Sequence, residues 1–378
     1  LSDDLPLEGA PALVLGAGFG TRLAPLTEYV PKPSIPVLGR PLIGHSLIQL
    51  YAGGCREAFV NAHHLVPRLQ TTLEAWVQRR LLRLKLRWSI EQPAILGTGG
   101  ALRLLQGPLS EGGPFLLLNG DSILGLDLPA LWAAHQRNRA EGALATLLCI
   151  EPPPGRKFNP VRLRGGDRIA ELPGMPPLPS EEQATTETVA FCGVHIIEPE
   201  LIDVLPLVGT ESCIVRQGYA RVIQGGGDIR AHRVGADLFF HDVGTPDRYL
   251  DAQAALLRAA DDAVLPVIDG VDGAEALFQE ASYAVDHNGR EYGSADSVPG
   301  LSGAILTPPF FFGPGNRVES GAVIGPDASV GALNSIGTGA VLQDVALWSQ
   351  VDVGAGERLT HCIAGRMGGE RRVLPRPS

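Results

Sequence analysis

The residues best suited to chemistry lie in three places along the chain. The first is Gly16-Ala17-Gly18-Phe19-Gly20-Thr21-Arg22, a glycine-rich turn that follows the apolar run 11–15. Backbone N–H groups of such a turn can surround phosphate oxygens. It is not a dinucleotide fingerprint, because the position five residues after Gly16 is Thr21 and not glycine. Nor is it a Walker A loop, since no Gly-Lys-Ser/Thr follows. The second place is Pro31-Lys32-Pro33, a point charge on a proline-stiffened segment. Only three of the 31 basic residues are lysines, Lys32, Lys85 and Lys157, so a lysine held between two prolines stands out. The third is a pair of aspartates. Asp121 follows the apolar run 115–118, and Asp242 follows Leu238–His241. Both positions correspond to the carboxyl ends of strands, where open α/β sheets bind ligands. Two carboxylates together with phosphate oxygens make an ordinary Mg2+ site.

These groups need a scaffold, and the sequence supplies an alternating one. Strands are predicted at 11–15, 58–62, 84–90, 115–118 and 143–150, with helices at 41–52, 67–82, 99–106 and 129–140 between or after them. The chain then turns proline-rich and irregular. From 188 a strand, helices at 199–205 and near 215–224, a strand at 238–241 and a helix at 246–259 follow. Gly225-Gly226-Gly227 reads as a helix stop, and Asp127 and Asp247 as helix caps or flanks. Strands alternating with helices argue an α/β fold. Residues 261–300 show little periodicity and are read as a connector.

Beyond residue 300 the period becomes six. Leu306, Phe312, Val318, Ile324, Val330, Ile336, Leu342 and Trp348 recur in one register, with Ala322, Ala328, Ala340 and Ala346 four places after neighbouring members. After Trp348 the register slips, and Val353 and Leu359 resume it. A six-residue repeat of this kind is the signature of a parallel β-helix, about three turns of three hexads each.

The bulk properties exclude several classes. A formal charge of −10 argues against nucleic-acid or anionic-membrane partners. No apolar run approaches a membrane span, and residues 1–10 lack the features of a signal peptide. The five isolated cysteines, Cys55, Cys149, Cys192, Cys213 and Cys362, fit a reducing compartment, and a cytoplasmic location is expected.

The ordered set Leu15-Gly-Ala-Gly-Phe-Gly-Thr-Arg22, Pro31-Lys32-Pro33, Gly97-Thr98-Gly99-Gly100, Gly120-Asp121 and the late Asp242 resembles the nucleotidyltransferases that make NDP-sugars from sugar 1-phosphates. The likeness spans residues 11–255. It implies a Rossmann-like catalytic domain over 1–260, with a mixed, mostly parallel sheet and a sugar-binding lobe at about 150–235. A left-handed hexapeptide β-helix over 301–366 and a tail at 367–378 complete the chain. The implied reaction joins a sugar 1-phosphate to an NTP and releases pyrophosphate, with Mg2+ as cofactor and in-line attack on the α-phosphorus. Such a site must neutralise charge and align reactants, and needs no covalent protein intermediate.

Carried over residue by residue, the resemblance makes Arg22 and Lys32 the catalytic cations. Leu15, Gly16, Ala17, Gly18, Gly20, Thr21, Gln92, Gly97 and Thr98 would contact the nucleotide, Gly120, Glu171 and Gly193 the sugar, and Asp121 and Asp242 the metal. Gln92 takes the place that reads the base in uridylyl and thymidylyl members, and an amide suits a pyrimidine edge. This leans toward UTP or dTTP. The alternative is a mannose- or heptose-1-phosphate guanylyltransferase with Glu91 reading guanine. On the sugar side the pattern departs from the family. Glu171-Leu172-Pro173 lacks the family's lysine, for which Lys157 is a candidate substitute, and Phe158-Asn159-Pro160 and Cys192-Gly193 replace its usual residues. The sugar is therefore left open.

His63-His64 are expected to point to opposite sides of a strand end, which disfavours a metal site. His361 is placed on the surface of the β-helix. A catalytically inactive regulatory subunit, or a bifunctional enzyme with acyl transfer in the β-helix, are the rival readings. A homo-oligomer built through the β-helix is a further expectation.

Overall fold

The computed structural model describes residues 7–80, 82–152, 158, 160–259 and 273–376. Lys157, Asn159, residue 260 and residues 261–272 of the expected connector lie outside them. Besides the short antiparallel pair Pro36–Val37 and Arg40–Pro41, the catalytic-domain strands are β1 (Ala12–Leu15), β2 (Glu57–Ala62), β3 (Lys85–Ile90), β4 (Phe115–Asn119), β5 (Ser122–Leu124) and β6 (Ala143–Ile150). They continue with β7 (Pro160–Arg164), β8 (Arg168–Glu171), β9 (Glu187–Ile197), β10 (Asp228–Val234) and β11 (Phe240–Asp242).

Nine of these form one mixed sheet in the order β3-β2-β1-β4-β9-β6-β10-β8-β7. The first four run parallel, and β9 is antiparallel to β4, β6 and β7. Burial on both faces explains why the central strands are apolar throughout and not alternating. In β4, Leu116 and Leu118 face one hydrophobic cluster while Phe115 and Leu117 face the other. Next to the sheet, β5 and β11 make a two-stranded antiparallel ladder that pairs Asp242 with Ser122.

The predicted helices are found with shifted ends, notably Gly44–Ala52, Val66–Arg79, Gly97–Leu104, Leu128–Ala140 and Pro246–Arg258. Asp127 caps Leu128–Ala140 through the Ala130 N–H at 2.9 Å, and Thr245 is the N-cap of Pro246–Arg258. The helix expected near 215–224 begins as a π-helix at Ile214–Tyr219 and ends at Gly225. The stretch after 150, expected to be irregular, contains the hairpin β7–β8 in its described part.

The C-terminal region stacks short parallel strands in three ladders. Ile305 pairs with Val323 and Val323 with Val341; Phe310 pairs with Ala328 and Ala328 with Val345; Arg317 pairs with Ser335 and Ser335 with Asp352. The step is 18 residues early in the stack and 17 later. The change falls between Leu342, still paired 18 residues on from Ile324, and Val345, paired 17 on from Ala328. The register therefore slips at Gln343–Asp344 and not after Trp348. As a result Leu347, not Trp348, faces the interior of the stack, and Trp348 turns outward into the core of the catalytic domain. The missing residue moves one large side chain from one core to another.

Between the two regions, the helix Gly273–Phe278 and the strand Tyr283–Val285, which pairs with Phe310–Phe312, occupy the described part of the expected connector. Residues 370–375 form a strand paired with 362–367. Fully buried Arg40 ties the connector to the catalytic domain, donating from Nη2 to the carbonyls of Ala276 and Leu277 at 2.7 and 2.8 Å. A guanidinium at the carbonyl end of a helix is favourably placed, and burial lowers its pKa to about 10.

Candidate active site

Strand order reverses between β1 and β4, because β1 continues to β2 on one side while β4 leads away on the other. Open α/β sheets place ligands at such a point, beyond the carboxyl ends of the strands. A cavity of about 240 Å3 lies there, lined by Leu15, Asn61 and Asn119 at the ends of β1, β2 and β4. Gly16, Ala17 and Gly18 of the glycine turn, Lys32, Gly97, Thr98, Gly120 and Asp121 complete most of its wall.

Several of these glycines are required by close packing. A Cβ on Gly120 would stand 2.4 Å from the Leu15 carbonyl oxygen, and one on Gly16 would stand 2.9 Å from that of Asn61. Gly97 has φ +68°, and a Cβ there would lie 2.6 Å from the Ser212 carbonyl oxygen. Residues 96–100 and 212–214 are in fact one unit. Ser212 N–H donates to Leu96, Gly99 N–H donates to Ser212, and Ile214 N–H donates to the Thr98 hydroxyl oxygen, at 2.9, 2.8 and 2.9 Å. That leaves the Thr98 hydroxyl its own proton to donate.

A buried network joins the glycine turn to the segment after β3. Gly16 N–H donates to Asn61 Oδ1 at 2.7 Å, and Asn61 Nδ2 donates to Glu91 Oε1 at 2.7 Å. The other carboxylate oxygen of Glu91 accepts the Leu96 N–H at 2.6 Å. Two expectations change here. The Gly16 N–H is committed within the protein and is not offered to the cavity. Glu91 is 1% exposed with both oxygens engaged inside the protein, and it does not line the cavity. Asn61 and Asn119 were missed in the sequence. The signal for Asn61 was a polar residue at the end of an apolar strand, but its partners are 45 and 30 residues away.

Lys32 and Asp121 meet directly, with Nζ 2.5 Å from Oδ2. Lys32 is nearly buried, its side chain 10% exposed. Asp242 lies on the adjoining ladder, where the Val243 N–H donates to the Asp121 carbonyl at 2.9 Å, and its carboxylate is held by Arg248 at 2.5 Å. Ladder pairing thus brings the two aspartates, 121 residues apart in sequence, to one strand end.

Asp242 and the remaining predicted residues are not among those that line this cavity. Thr21 and Arg22 are exposed, and the Arg22 guanidinium packs against Gly244, where a Cβ would stand 3.1 Å from Nη2. Gly20, with φ +65°, turns the chain over Thr27 and Lys32. Gln92 is exposed. Glu171 accepts the Leu178 N–H at 2.9 Å and faces Arg162 at 3.6 Å. Gly193, with φ +78°, sits against the cavity-lining Asn119.

His63 and His64 do not diverge. Both rings contact Phe19 at the tip of the glycine turn, with centroids 5.1 and 5.6 Å away. They lie past the end of β2, where strand alternation no longer applies. His361 is on the surface as expected, with its side chain 65% exposed and Nδ1 2.6 Å from Asp344.

The family model for nucleotidyl transferases matches residues 11–259, two thirds of the chain. The chain belongs to the nucleotidyl transferase family. Among known proteins, this nucleotidyl transferase is 28% identical to a mannose-1-phosphate guanylyltransferase of Mycobacterium tuberculosis, over 83% of the chain and 82% of that protein. A UTP–glucose-1-phosphate uridylyltransferase of Synechocystis is 25% identical over 92% of the chain and 85% of its own length. An N-acetylmuramate α-1-phosphate uridylyltransferase of Neisseria meningitidis is 32% identical over 64% of the chain and 96% of its own. Among the described residues of the transferase, no helix is long and apolar enough to cross a membrane.

Proposed function

We propose that this nucleotidyl transferase joins a sugar 1-phosphate to a nucleoside triphosphate and releases pyrophosphate. The observation that carries the reading is convergence. The glycine turn, Lys32, Asp121 and the Gly97-Thr98 segment surround one cavity at the switch point of the sheet. All three relatives described above are named for transfer of a nucleotide to a sugar 1-phosphate.

In this reading the turn amides after Gly16 hold the triphosphate and Lys32 steadies the phosphate oxygens at the reacting α-phosphorus. Arg22, beside Gly244, faces the leaving pyrophosphate. A sugar-phosphate oxygen forms the new bond to the α-phosphorus as the bond to the bridging oxygen breaks, and the electron pair leaves with pyrophosphate. Positioning and charge neutralisation are what the protein contributes.

Asp121 and Asp242 suit Mg2+, since both are carboxylates at one ladder end, both side chains are about a third exposed, and Asp121 lines the cavity. No group of three or more His, Cys, Asp or Glu side chains among the described residues makes a metal cage, so phosphate oxygens and water would supply the other ligands. Bound there, the ion would offset charge on the phosphates.

The base reading leans to UTP or dTTP, because Glu91 is consumed in the buried network and Gln92 is the free side chain of that segment. The guanylyl reading stands beside it on the name of the Mycobacterium relative. The C-terminal ladders, with their inward hexad residues, are read as a left-handed β-helix that braces the catalytic domain and can pair with a second copy. A cytoplasmic location fits the free cysteines among the described residues.

Lys32→Ala and Asp121→Ala test the assignment. Each should lower turnover by about a hundredfold or more, the scale for losing one charge-stabilising group. A near-normal rate in either removes the role given to that residue.

A further inference from the structure

Each aspartate assigned to the metal already holds a cation. Asp121 Oδ2 faces Lys32 Nζ and Asp242 Oδ2 faces Arg248 Nη1, both at 2.5 Å. The two cations are supported differently. Lys32 is nearly buried between prolines, whereas Arg248 is 45% exposed in the first turn of the helix Pro246–Arg258. The backbone around Arg248 is fixed: its own N–H donates to the Thr245 side chain at 3.4 Å, and the next residue, Tyr249, is fully buried. Only the guanidinium is left free to move, and it reaches back six residues to Asp242. In the resting structure each of the two carboxylates is therefore already paired with one cation, and the Arg22 guanidinium lies close by against Gly244.

We propose that Arg248 is a displaceable counter-ion of Asp242. It occupies the carboxylate oxygen that the divalent cation would need, and yields it when the cation and the polyphosphate enter together. An ion binding alone must displace the guanidinium and leave the site with two extra positive charges. An ion entering with a triphosphate brings the compensating negative charge with it. Arg248 thus positions Asp242 while making the site bind the free ion weakly and the ion–nucleotide pair well. No motif in the sequence pointed to this residue. The inference rests on Asp121 and Asp242 being the metal carboxylates.

The test is Mn2+ binding followed by electron paramagnetic resonance, without nucleotide, on the full chain. Wild type, Arg248→Gln, Arg248→Lys and Asp242→Asn are compared, with circular dichroism to verify folding. A half-exposed ion pair is worth up to about 1 kcal/mol, so Arg248→Gln should bind Mn2+ about two- to fivefold more tightly than wild type. Arg248→Lys should restore the wild-type value, and Asp242→Asn should weaken binding. A residue with a merely structural role would leave the affinity unchanged or reduce it when removed. Unchanged or weaker binding in Arg248→Gln, with Asp242→Asn still impaired, overturns the counter-ion role and leaves the metal assignment standing. Mn2+ binding indifferent to Asp242→Asn overturns the metal assignment, and the counter-ion role with it.

Discussion

Trp348 donates its indole N–H to the Tyr249 hydroxyl at 3.0 Å, and that hydroxyl donates in turn to the Pro36 carbonyl at 2.5 Å. The C-terminal stack is thereby linked, through one buried phenol, to the segment that carries Lys32. Burial drives the Tyr249 pKa upward, so the hydroxyl stays protonated and remains a donor. Tyr249→Phe removes both bonds and strands the Trp348 N–H and the Pro36 carbonyl. The expected cost is about 1–3 kcal/mol in urea unfolding, with a lower kcat because Lys32 loses a support four residues away. Unchanged stability would show the link to be incidental.

Gly193 is a second point of sensitivity. A Cβ there would stand 2.5 Å from Asn119 Nδ2, at a φ that L residues rarely adopt. Gly193→Ala should shift Asn119 in the cavity wall and lower kcat/KM about tenfold or more, in line with the cost of small misplacements in a reacting site. Gly166→Ala is the control, with φ +93° and nothing within 4 Å. It should cost about 1–2 kcal/mol of stability and leave activity intact. Equal activities for the two variants would contradict the placement of Gly193.

Glu91 separates positioning from base recognition. Glu91→Gln turns one accepting oxygen into an amide donor facing Asn61 Nδ2 or the Leu96 N–H. Stability should fall by about 1–3 kcal/mol, with no change in the preferred nucleotide. Gln92→Glu should do the reverse, leaving stability unchanged and moving preference from UTP or dTTP toward GTP. If Glu91→Gln alone alters base preference, the buried network has been misread.

Acid should destabilise the fold through two buried histidines. Burial lowers His135 to about 4, with Arg139 adding to the effect, and lowers His195 to about 3. Their folded pKa values lie below the unfolded value of about 6.5. The unfolded chain therefore binds more protons between these limits. The stabilisation is present above pH 6.5 and is lost as pH falls toward 4 and 3. At pH 5 each histidine should have given up about 2 kcal/mol relative to pH 7.5. Urea unfolding at the two pH values should show a smaller difference in His195→Gln than in wild type. An equal difference would mean that His195 is not held neutral.

Much of the site could be read in the chain because its parts are local. The glycine turn, Pro31-Lys32-Pro33 and Gly120-Asp121 each announce themselves within a few residues. What could not be read depends on which strand ends are neighbours. Asn61 and Asn119 matter because β1 lies between β2 and β4, and Arg248 matters because β11 pairs with β5. The hexad repeat predicted the inward residues of the stack but not the fate of Trp348, since one missing residue at Gln343–Asp344 exchanges it with Leu347. The hairpin β7–β8 escaped notice because its strands, PVRLR and RIAE, are short, polar and flanked by prolines.

The central claim is that this cavity transfers a nucleotide to a sugar 1-phosphate. The direct test is pyrophosphate release from a panel of ATP, GTP, UTP and dTTP, each with glucose-, mannose-, N-acetylglucosamine- and N-acetylmuramate-1-phosphate. At least one pair should release pyrophosphate with Mg2+ present and cease to do so when the metal is chelated. Folded protein that releases none with any pair would contradict the account.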